Sequence, residues 1–119
     1  PEESAFLSSG KSGAHDIEGI GVGYLPPLWD ASLVDEVLTV KTSEAKEMAR
    51  ELSRKEGIFA GTSSGGNVHA AIRVAKKLES SAKVVTLMVD SGLKYLSTDL
   101  YRRGGSAPSG STSAEEVAR

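Results

Sequence analysis

The sequence contains no cysteine, which excludes disulfide bonds and thiolate metal sites. Its two histidines, His15 and His69, are far apart, and no H-E-x-x-H spacing occurs, so no zinc site is predicted. Aromatic residues make up only 5% of the chain, which argues against a surface that stacks nucleic-acid bases. No apolar run is long enough to span a bilayer. These features predict a protein with no metal, no membrane span and no nucleic-acid partner.

The length of 119 residues is that of one domain. The formal net charge of −2 argues against a basic surface that binds nucleic acid. The chain begins at Pro1 without a methionine, and it has no signal-peptide pattern. We therefore expect a cytoplasmic α/β piece that can belong to a longer protein.

The first half of the chain predicts a strand followed by a helix. Residues 33–40 (LVDEVLTV) have the composition of a strand. Thr42 is the expected N-cap of the helix, with Glu44 in its first turn and Gly57 as its stop. Apolar residues at i, i+3, i+4 and i+7 give this helix one apolar face, made of Ala45, Met48, Ala49 and Leu52.

The second half predicts a helix, a strand and a short closing helix. The helix begins near Ser63 or Ser64. Its expected apolar face consists of Val68, Ala71, Ile72, Ala75 and Leu78. Residues 84–89 (VVTLMV) predict a strand covered on both faces, and residues 95–101 a closing helix. The expected fold is a layered α/β structure over residues 1–102, with a parallel sheet and flanking helices, followed by a flexible tail at 103–119.

The stretch IFAGTSSGGNVHAA, residues 58–71, admits three interpretations. The G-x-S-x-G pattern at Gly61–Gly65 is that of a hydrolase nucleophile, but His69 follows the serine on the same predicted helix and would point away from it. A phosphate cradle is the second interpretation, although Asn67 stands where the P-loop pattern needs a lysine. The third is close packing of small residues against another backbone. The residues alone leave these interpretations open, and the resemblance to a known family that follows implies the third, as close packing beside a cofactor site without a nucleophile.

Three segments resemble the C-terminal part of the cysteine synthase and cystathionine β-synthase family, which are fold-type II pyridoxal-phosphate enzymes. The segments are HDIEGIGVGYLPPLWD, GIFAGTSSGGNVHAAIRVA and VVTLMVDSGLKYLSTDLY, within residues 13–101. Their order and spacing also suit that family. The DSG-x-K-YLST pattern behind an apolar run is the most specific of these features.

The resemblance implies roles for two residues. Ser91 is the serine expected to hydrogen-bond the pyridine nitrogen of pyridoxal 5′-phosphate. A neutral hydroxyl does not hold that nitrogen protonated as an aspartate would, so the ring is a weaker electron sink and β-elimination competes well. Gly19 is expected to bring backbone close to the ring. The alternative for Ser91 is a turn residue, because Gly92 follows it, and the alternative for Gly19 is an ordinary tight connection.

The implied activity of the parent enzyme is cysteine synthesis from O-acetylserine and sulfide. A cystathionine β-synthase-type reaction of serine with homocysteine is the alternative, and a non-catalytic truncated interaction module is a third. The family's Schiff-base lysine and G-T-G-G-T phosphate loop do not occur in this sequence, and Lys11 and Lys94 lack the family context. The chain alone is therefore expected to be inactive, with no catalytic residue of its own. The resemblance also implies an amino-acid substrate, a homodimer and a serine acetyltransferase partner.

Overall fold

A computed structural model describes residues 1–102. The expected flexible tail at 103–119 lies outside the described residues. Among residues 1–102, no helix is both long and apolar enough to cross a membrane. In chain order the elements are a 3-10 turn at Glu2–Ser4, helix α1 at Phe6–Ser9, a 3-10 turn at Ala31–Leu33, helix α2 at Thr42–Glu51, a π-helical turn at Leu52–Glu56, helix α3 at Thr62–Ala75, and a 3-10 turn at Gly92–Tyr95.

Helix α2 forms where the apolar periodicity predicts it. The Lys41 backbone N–H donates to the Glu44 carboxylate at 2.9 Å, which satisfies one of the donors at the start of the helix. The prediction of Thr42 as N-cap is wrong by one residue, because Thr42 is the first helical residue and Lys41 holds the cap position. Gly57 ends the helical segment with φ 68°, a left-handed conformation that costs glycine little.

Helices α2 and α3 pack closely through small residues. Gly65 lies against the Ala45 carbonyl oxygen, and a Cβ added at Gly65 would overlap that oxygen and lie 2.8 Å from the Ala49 nitrogen. Ala45 and Ala49 are fully buried at this contact. The expectation of close packing at the start of α3 is therefore confirmed. The backbones approach because neither helix has a bulky side chain there.

The C-terminal half of α3 is less buried than predicted. The helix begins at Thr62 but ends at Ala75, so Leu78 lies beyond it, 49% exposed. Ile72 is 39% exposed. The burial in α3 is concentrated in its first five residues, Thr62 to Gly66, where it meets α2. The described residues therefore cover the predicted apolar face of α3 only in part toward Leu78.

Neither predicted strand forms within residues 1–102. Residues 34–40 and 84–89 carry no strand assignment, and only an isolated antiparallel bridge joins Ala60 to Ser91 in this part of the chain. A strand needs a neighbour to accept and donate its backbone hydrogen bonds. Residues 84–89 have no such neighbour among the described residues, and Val85 and Leu87 are 89% and 69% exposed. The described part of the chain therefore does not itself build the expected parallel sheet.

The predicted closing helix at 95–101 is also wrong. A 3-10 turn covers Gly92–Tyr95, and the chain then continues in turns. The Thr98 hydroxyl donates to the Tyr95 carbonyl at 2.7 Å, and Arg50 Nε donates to the Leu100 carbonyl at 2.7 Å. The first bond replaces a backbone hydrogen bond of a helix, and the second attaches residues 95–101 to α2. Tyr95 and Leu100 are buried against Ala49 as a result.

Candidate functional site

A cleft of about 250 Å³ opens at the N-terminal end of α3. One side is the glycine-rich segment around Gly19, and the other is the extended segment that ends at Asp90. Its lining consists of Glu18, Gly19, Ile20, Ser63, Asn67, Val89, Asp90 and Lys94. The three segments that suggested the family resemblance thus meet at one place.

Three hydroxyl groups converge on the Asp90 carboxylate at this cleft. The Tyr95 hydroxyl donates to Asp90 Oδ2 at 2.5 Å. The hydroxyls of Ser63 and Ser64 each lie 3.4 Å from Asp90 Oδ1. Burial, and then the hydrogen bond to Asp90, raise the pKa of the Tyr95 hydroxyl well above its usual range. Tyr95 therefore stays protonated and remains a hydrogen-bond donor.

Ser64 fixes the position of Asp90. Its oxygen accepts the Val89 backbone N–H at 3.0 Å and the Asp90 N–H at 3.4 Å. Gly61 leaves the room that this arrangement needs, because a Cβ there would overlap both the Asp90 carboxylate and the Tyr95 ring. The extended segment is thus attached to α3 by side-chain bonds, and Asn67 adds another with its amide donated to the Leu87 carbonyl at 3.0 Å.

The glycine-rich segment brings bare backbone to the cleft. Gly19 lines the cleft with φ 84°, and a Cβ added there would meet no atom within 4 Å. His15 fixes the neighbouring turn: its Nδ1 accepts the Ile17 N–H at 3.2 Å, which leaves the hydrogen on Nε2 to donate to the Gly21 carbonyl at 3.3 Å. The backbone at Gly19 is therefore open toward the cleft, as its predicted role requires.

Lys94 is the lysine on the cleft lining. Its ammonium forms an ion pair with Glu18 at 2.6 Å. The hydrogen bond from Lys94 to Glu18 raises the pKa of Lys94 above its usual value. A protonated, paired amine is a poor nucleophile toward an aldehyde.

Ser91, the predicted partner of the ring nitrogen, lies outside the cleft lining and is exposed. Its hydroxyl oxygen accepts the Leu93 N–H at 3.3 Å and caps the 3-10 turn. Ser63, by contrast, is only 6% exposed and lines the cleft. The sequence predicted Ser63 at or near the start of a helix beside a cofactor site, but it assigned this serine no contact with the cofactor.

The geometry gives no support to a serine hydrolase. The Ser63 hydroxyl is hydrogen-bonded to the Asp90 carboxylate, and no histidine nitrogen bonds it within residues 1–102. His69 Nε2 lies instead 3.8 Å from the Glu44 carboxylate, where both side chains are half-buried. A nucleophilic serine needs a base to accept its proton and a group that orients the base, and the base is not in place in this part of the chain.

A second, more polar depression of about 420 Å³ lies beside the first. Lys46 on α2 is its centre, with ion pairs to Asp16 and Asp99 at 2.9 Å each. Burial lowers the pKa of Lys46, but the bonds to both carboxylates outweigh it and raise the pKa overall. Lys46 thereby ties the segment that leads into Gly19 to the segment that follows Tyr95. The ion pairs of Lys46 thus connect two of the segments that line the cleft.

The family model described as "Pyridoxal-phosphate dependent enzyme" matches residues 3–90. Among curated proteins, the chain is 42% identical over 101 residues to a cysteine synthase of Staphylococcus aureus, which covers 85% of this chain and 33% of that protein. A cysteine synthase B of Campylobacter jejuni matches at the same identity and coverage. The chain therefore spans about a third of the length of the curated relatives it matches.

Solved structures give the same likeness in three dimensions. A cysteine synthase of Entamoeba histolytica superimposes with a TM-score of 0.81 at 40% identity, covering 90% of this chain and 32% of that one. An O-acetylserine dependent cystathionine β-synthase of Helicobacter pylori superimposes with a TM-score of 0.79 at 35% identity, covering 84% of this chain and 33% of that one. The arrangement of α2, α3 and the extended segments is thus that of one part of a larger α/β enzyme.

Proposed function

The chain belongs to the pyridoxal-phosphate dependent enzyme family, and from this we propose that it forms one wall of the cofactor cleft in an enzyme that makes cysteine. The proposed reaction replaces the acetoxy group of O-acetylserine by sulfide. The observation that carries the proposal is the meeting of Gly19, Ser63 and Asp90 at one cleft. Relatives that carry the name cysteine synthase, at 42% identity, support the choice of reaction.

The residues at the cleft fit the ring end of pyridoxal 5′-phosphate. Ser63 offers a buried hydroxyl that can meet a ring nitrogen, and Gly19 offers backbone without a side chain, which suits the edge of a flat ring. The phosphate end does not fit at this cleft, because the Lys94 ammonium on the lining is already paired with Glu18. We infer that this chain holds the ring and that the phosphate is bound by other residues of the parent enzyme.

The chemistry that bound pyridoxal phosphate supplies is an aldehyde that attaches the amino acid and a ring that takes up negative charge from its Cα. The residues of this chain bind and orient. Ser63 fixes one edge of the ring, and Gly19 allows the ring to approach the backbone. The buried contact of α2 with α3 at Gly65 keeps Ser63 in place, because it holds the start of α3 rigid.

Two serines compete for the role at the ring nitrogen. The DSG-x-K-YLST resemblance favours Ser91, and we retain it as a proposal. Burial and the cleft lining favour Ser63. We propose Ser63 as the stronger candidate, since a hydrogen bond to a ligand is worth more in a buried site than at an exposed turn, where water competes.

A second candidate reaction joins serine and homocysteine, as in cystathionine β-synthase. The Helicobacter pylori enzyme, with a TM-score of 0.79, supports the formation of cystathionine, although its name gives O-acetylserine and not serine as the substrate. An O-ureido-L-serine synthase is also similar in structure, at 31% identity and with a TM-score of 0.81 over 88% of this chain. Similar proteins therefore act on more than one β-substituted serine.

Partners and location are also proposals. Several large apolar side chains are exposed, among them Leu28 at 97%, Leu33 at 81% and Val85 at 89%. Their number supports the proposal that further polypeptide of the parent enzyme covers part of this surface. A homodimer, a serine acetyltransferase partner and a cytoplasmic location remain proposals that rest on the family.

The proposed reaction is tested by transplanting this chain into a relative. In this chimera, residues 3–102 replace the matching third of the Staphylococcus aureus cysteine synthase, and the purified protein is given O-acetylserine with sulfide. Formation of cysteine supports the proposal, while cystathionine from serine and homocysteine, without cysteine, would favour the second candidate. A chimera that folds and binds the cofactor but forms neither product would contradict both reactions.

A further inference from the structure

We propose that Lys94 is a positioning residue that sets the width of the cleft, because its ion pair with Glu18 holds the glycine-rich segment against the side of the cleft that carries Asp90. Both residues line the cleft, and their charged groups lie 2.6 Å apart. The use of the cleft by a cofactor rests on the proposed function, whereas the ion pair belongs to this chain alone.

Residues 18–20 form a short exposed loop between two fixed points. At one end the Ile17 side chain is buried, at 1% exposure. At the other end the Gly21 carbonyl accepts a hydrogen bond from the Ser4 hydroxyl at 2.8 Å. In the described part of the chain, the backbone of the loop makes no hydrogen bond with another segment. The Glu18 side chain is therefore the polar attachment of this loop to the opposite side of the cleft.

The 18–20 loop can take more than one position because of its glycines. Gly19 and Gly21 have φ 84° and 65°, and glycine changes its backbone conformation at little steric cost. A Cβ added at Gly19 would meet no atom within 4 Å, and the Ile20 side chain is 42% exposed. Packing therefore restrains the loop little, and the distance from Gly19 to the opposite side depends on the ion pair of the preceding residue.

Lys94 stands on the firmly packed side of the cleft. It lies in the 3-10 turn at Gly92–Tyr95, and its ammonium is 5.8 Å from the centre of the Tyr95 ring, which is only 3% exposed. The Tyr95 hydroxyl in turn donates to Asp90 at 2.5 Å. The ion pair thus joins a loosely held loop to a turn that is fixed by burial and by hydrogen bonds.

The ion pair is weak enough to open and close. The side chains of Lys94 and Glu18 are 57% and 53% exposed, and exposed pairs change an equilibrium by up to about fivefold. Dissolved salt screens such a pair further. We therefore expect the 18–20 loop to move away from Lys94 transiently, which lets a ligand pass, and to return when the pair forms again.

The role of the ion pair is tested in the full chain without any ligand, by ¹⁵N relaxation at the Ile20 amide. Lys94→Met should lower the order parameter from about 0.85, the rigid range, toward about 0.6, the flexible range. Glu18→Gln should have the same effect, and the double variant should add nothing further, because both substitutions remove one interaction. Lys94→Arg keeps the charge and should restore the order parameter.

Lys77→Met is the matched control, because it removes an ion pair with Glu36 whose side chains are 59% and 54% exposed. It should leave the order parameter at Ile20 unchanged. Equal order parameters in Lys94→Met and Lys77→Met would overturn the inference. A loss of order in Lys94→Arg as large as that in Lys94→Met would also overturn it, because the charge would then have no part in holding the loop.

The consequence for the cleft is tested in the same chimera, by the rate at which it releases pyridoxal 5′-phosphate after dilution. Lys94→Met should speed release by about two- to fivefold, and Lys94→Arg should return the rate to that of the unmodified chimera. An unchanged rate in Lys94→Met would show that the ion pair does not set the width of the cleft. If the Ile20 amide responds to Lys94 but the chimera binds no cofactor, the proposed function fails and the ion pair keeps its role in this chain.

Discussion

The Ser64 hydroxyl accepts the backbone N–H of Val89 at 3.0 Å, and this bond attaches the extended segment 84–90 to the start of α3. The segment has no strand partner in the described part of the chain. The side chains of α3 therefore supply the hydrogen bonds that a sheet would otherwise supply. The same bond sets the position of Asp90, and through it the geometry of the cleft.

Removal of this attachment should loosen the segment locally. Ser64→Ala leaves the Val89 N–H without its partner, at a cost of about 0.5–1.5 kcal/mol. Hydrogen exchange at the Val89 amide should therefore become about two- to tenfold faster. Ser91→Ala is the control, since the Ser91 hydroxyl bonds the Leu93 N–H and not Val89, and its removal should leave exchange at Val89 unchanged. Equal rates at Val89 in wild type and Ser64→Ala would show that the attachment does not form.

At the contact between α2 and α3, we expect alanine substitutions at two adjacent glycines to change stability in opposite directions. Gly65→Ala places a methyl group into the Ala45 carbonyl and should lower the free energy of unfolding by roughly 1–3 kcal/mol. Gly66→Ala meets only the Ala45 methyl group at 3.6 Å, an ordinary contact, and should raise it by about 0.5–1 kcal/mol through helix propensity. Urea unfolding measures both. Similar effects of the two substitutions would contradict the close approach at Gly65.

Because of the buried Tyr95 hydroxyl, we expect the protein to lose stability at alkaline pH. Burial and the bond to Asp90 raise the pKa of the folded Tyr95 hydroxyl above the value of about 10 in an unfolded chain. Its contribution is complete below pH 10 and is lost as the pH rises through the folded pKa. The free energy of unfolding should therefore fall less steeply above pH 10 in Tyr95→Phe than in wild type. Tyr24→Phe, at an exposed tyrosine, should follow the wild-type curve.

The ion pair between Lys46 and Asp99 should make stability fall as the pH is lowered. The hydrogen bond from Lys46 is the main cause that holds the pKa of Asp99 below its usual value. The contribution of Asp99 is present above its unfolded pKa, about 3.9, and is lost as the pH falls through the folded pKa. Lys46→Gln should flatten the decline of the melting temperature between about pH 5 and pH 2. Lys55→Gln, which removes an exposed pair with Glu51, is the control; if it flattened the decline equally, the effect would not belong to Asp99.

The predictions from sequence succeeded where the cause is local. The apolar period and Gly57 set the course of α2, because helical hydrogen bonds lie within the segment. Residues 84–89 were expected to form a strand, but a strand depends on neighbours distant in sequence, and side chains of α3 take their place. The prediction that the apolar face of α3 is buried as far as Leu78 was wrong for the same reason. Burial of a side chain depends on which other part of the fold packs against it.

The roles inferred for Gly19 and Ser91 beside the cofactor ring stay predictions. Gly19 lies on the lining of the cleft. The pairing of Ser63 with Asp90 was missed, because 27 residues separate them and only the fold brings them together. The role of Ser91 was inferred from a motif, and a motif does not say which side chain turns inward at the end of an extended segment.

The most direct test of the cleft is the dissociation constant of pyridoxal 5′-phosphate in the chimera that carries residues 3–102, followed by the absorbance of the bound cofactor. Ser63→Ala should weaken binding about two- to tenfold, the value of one hydrogen bond, while Ser91→Ala should leave it within twofold of the unmodified chimera. If Ser91→Ala weakened binding and Ser63→Ala did not, the ring would be held at the end of the extended segment, and the assignment of Ser63 to the ring would be wrong.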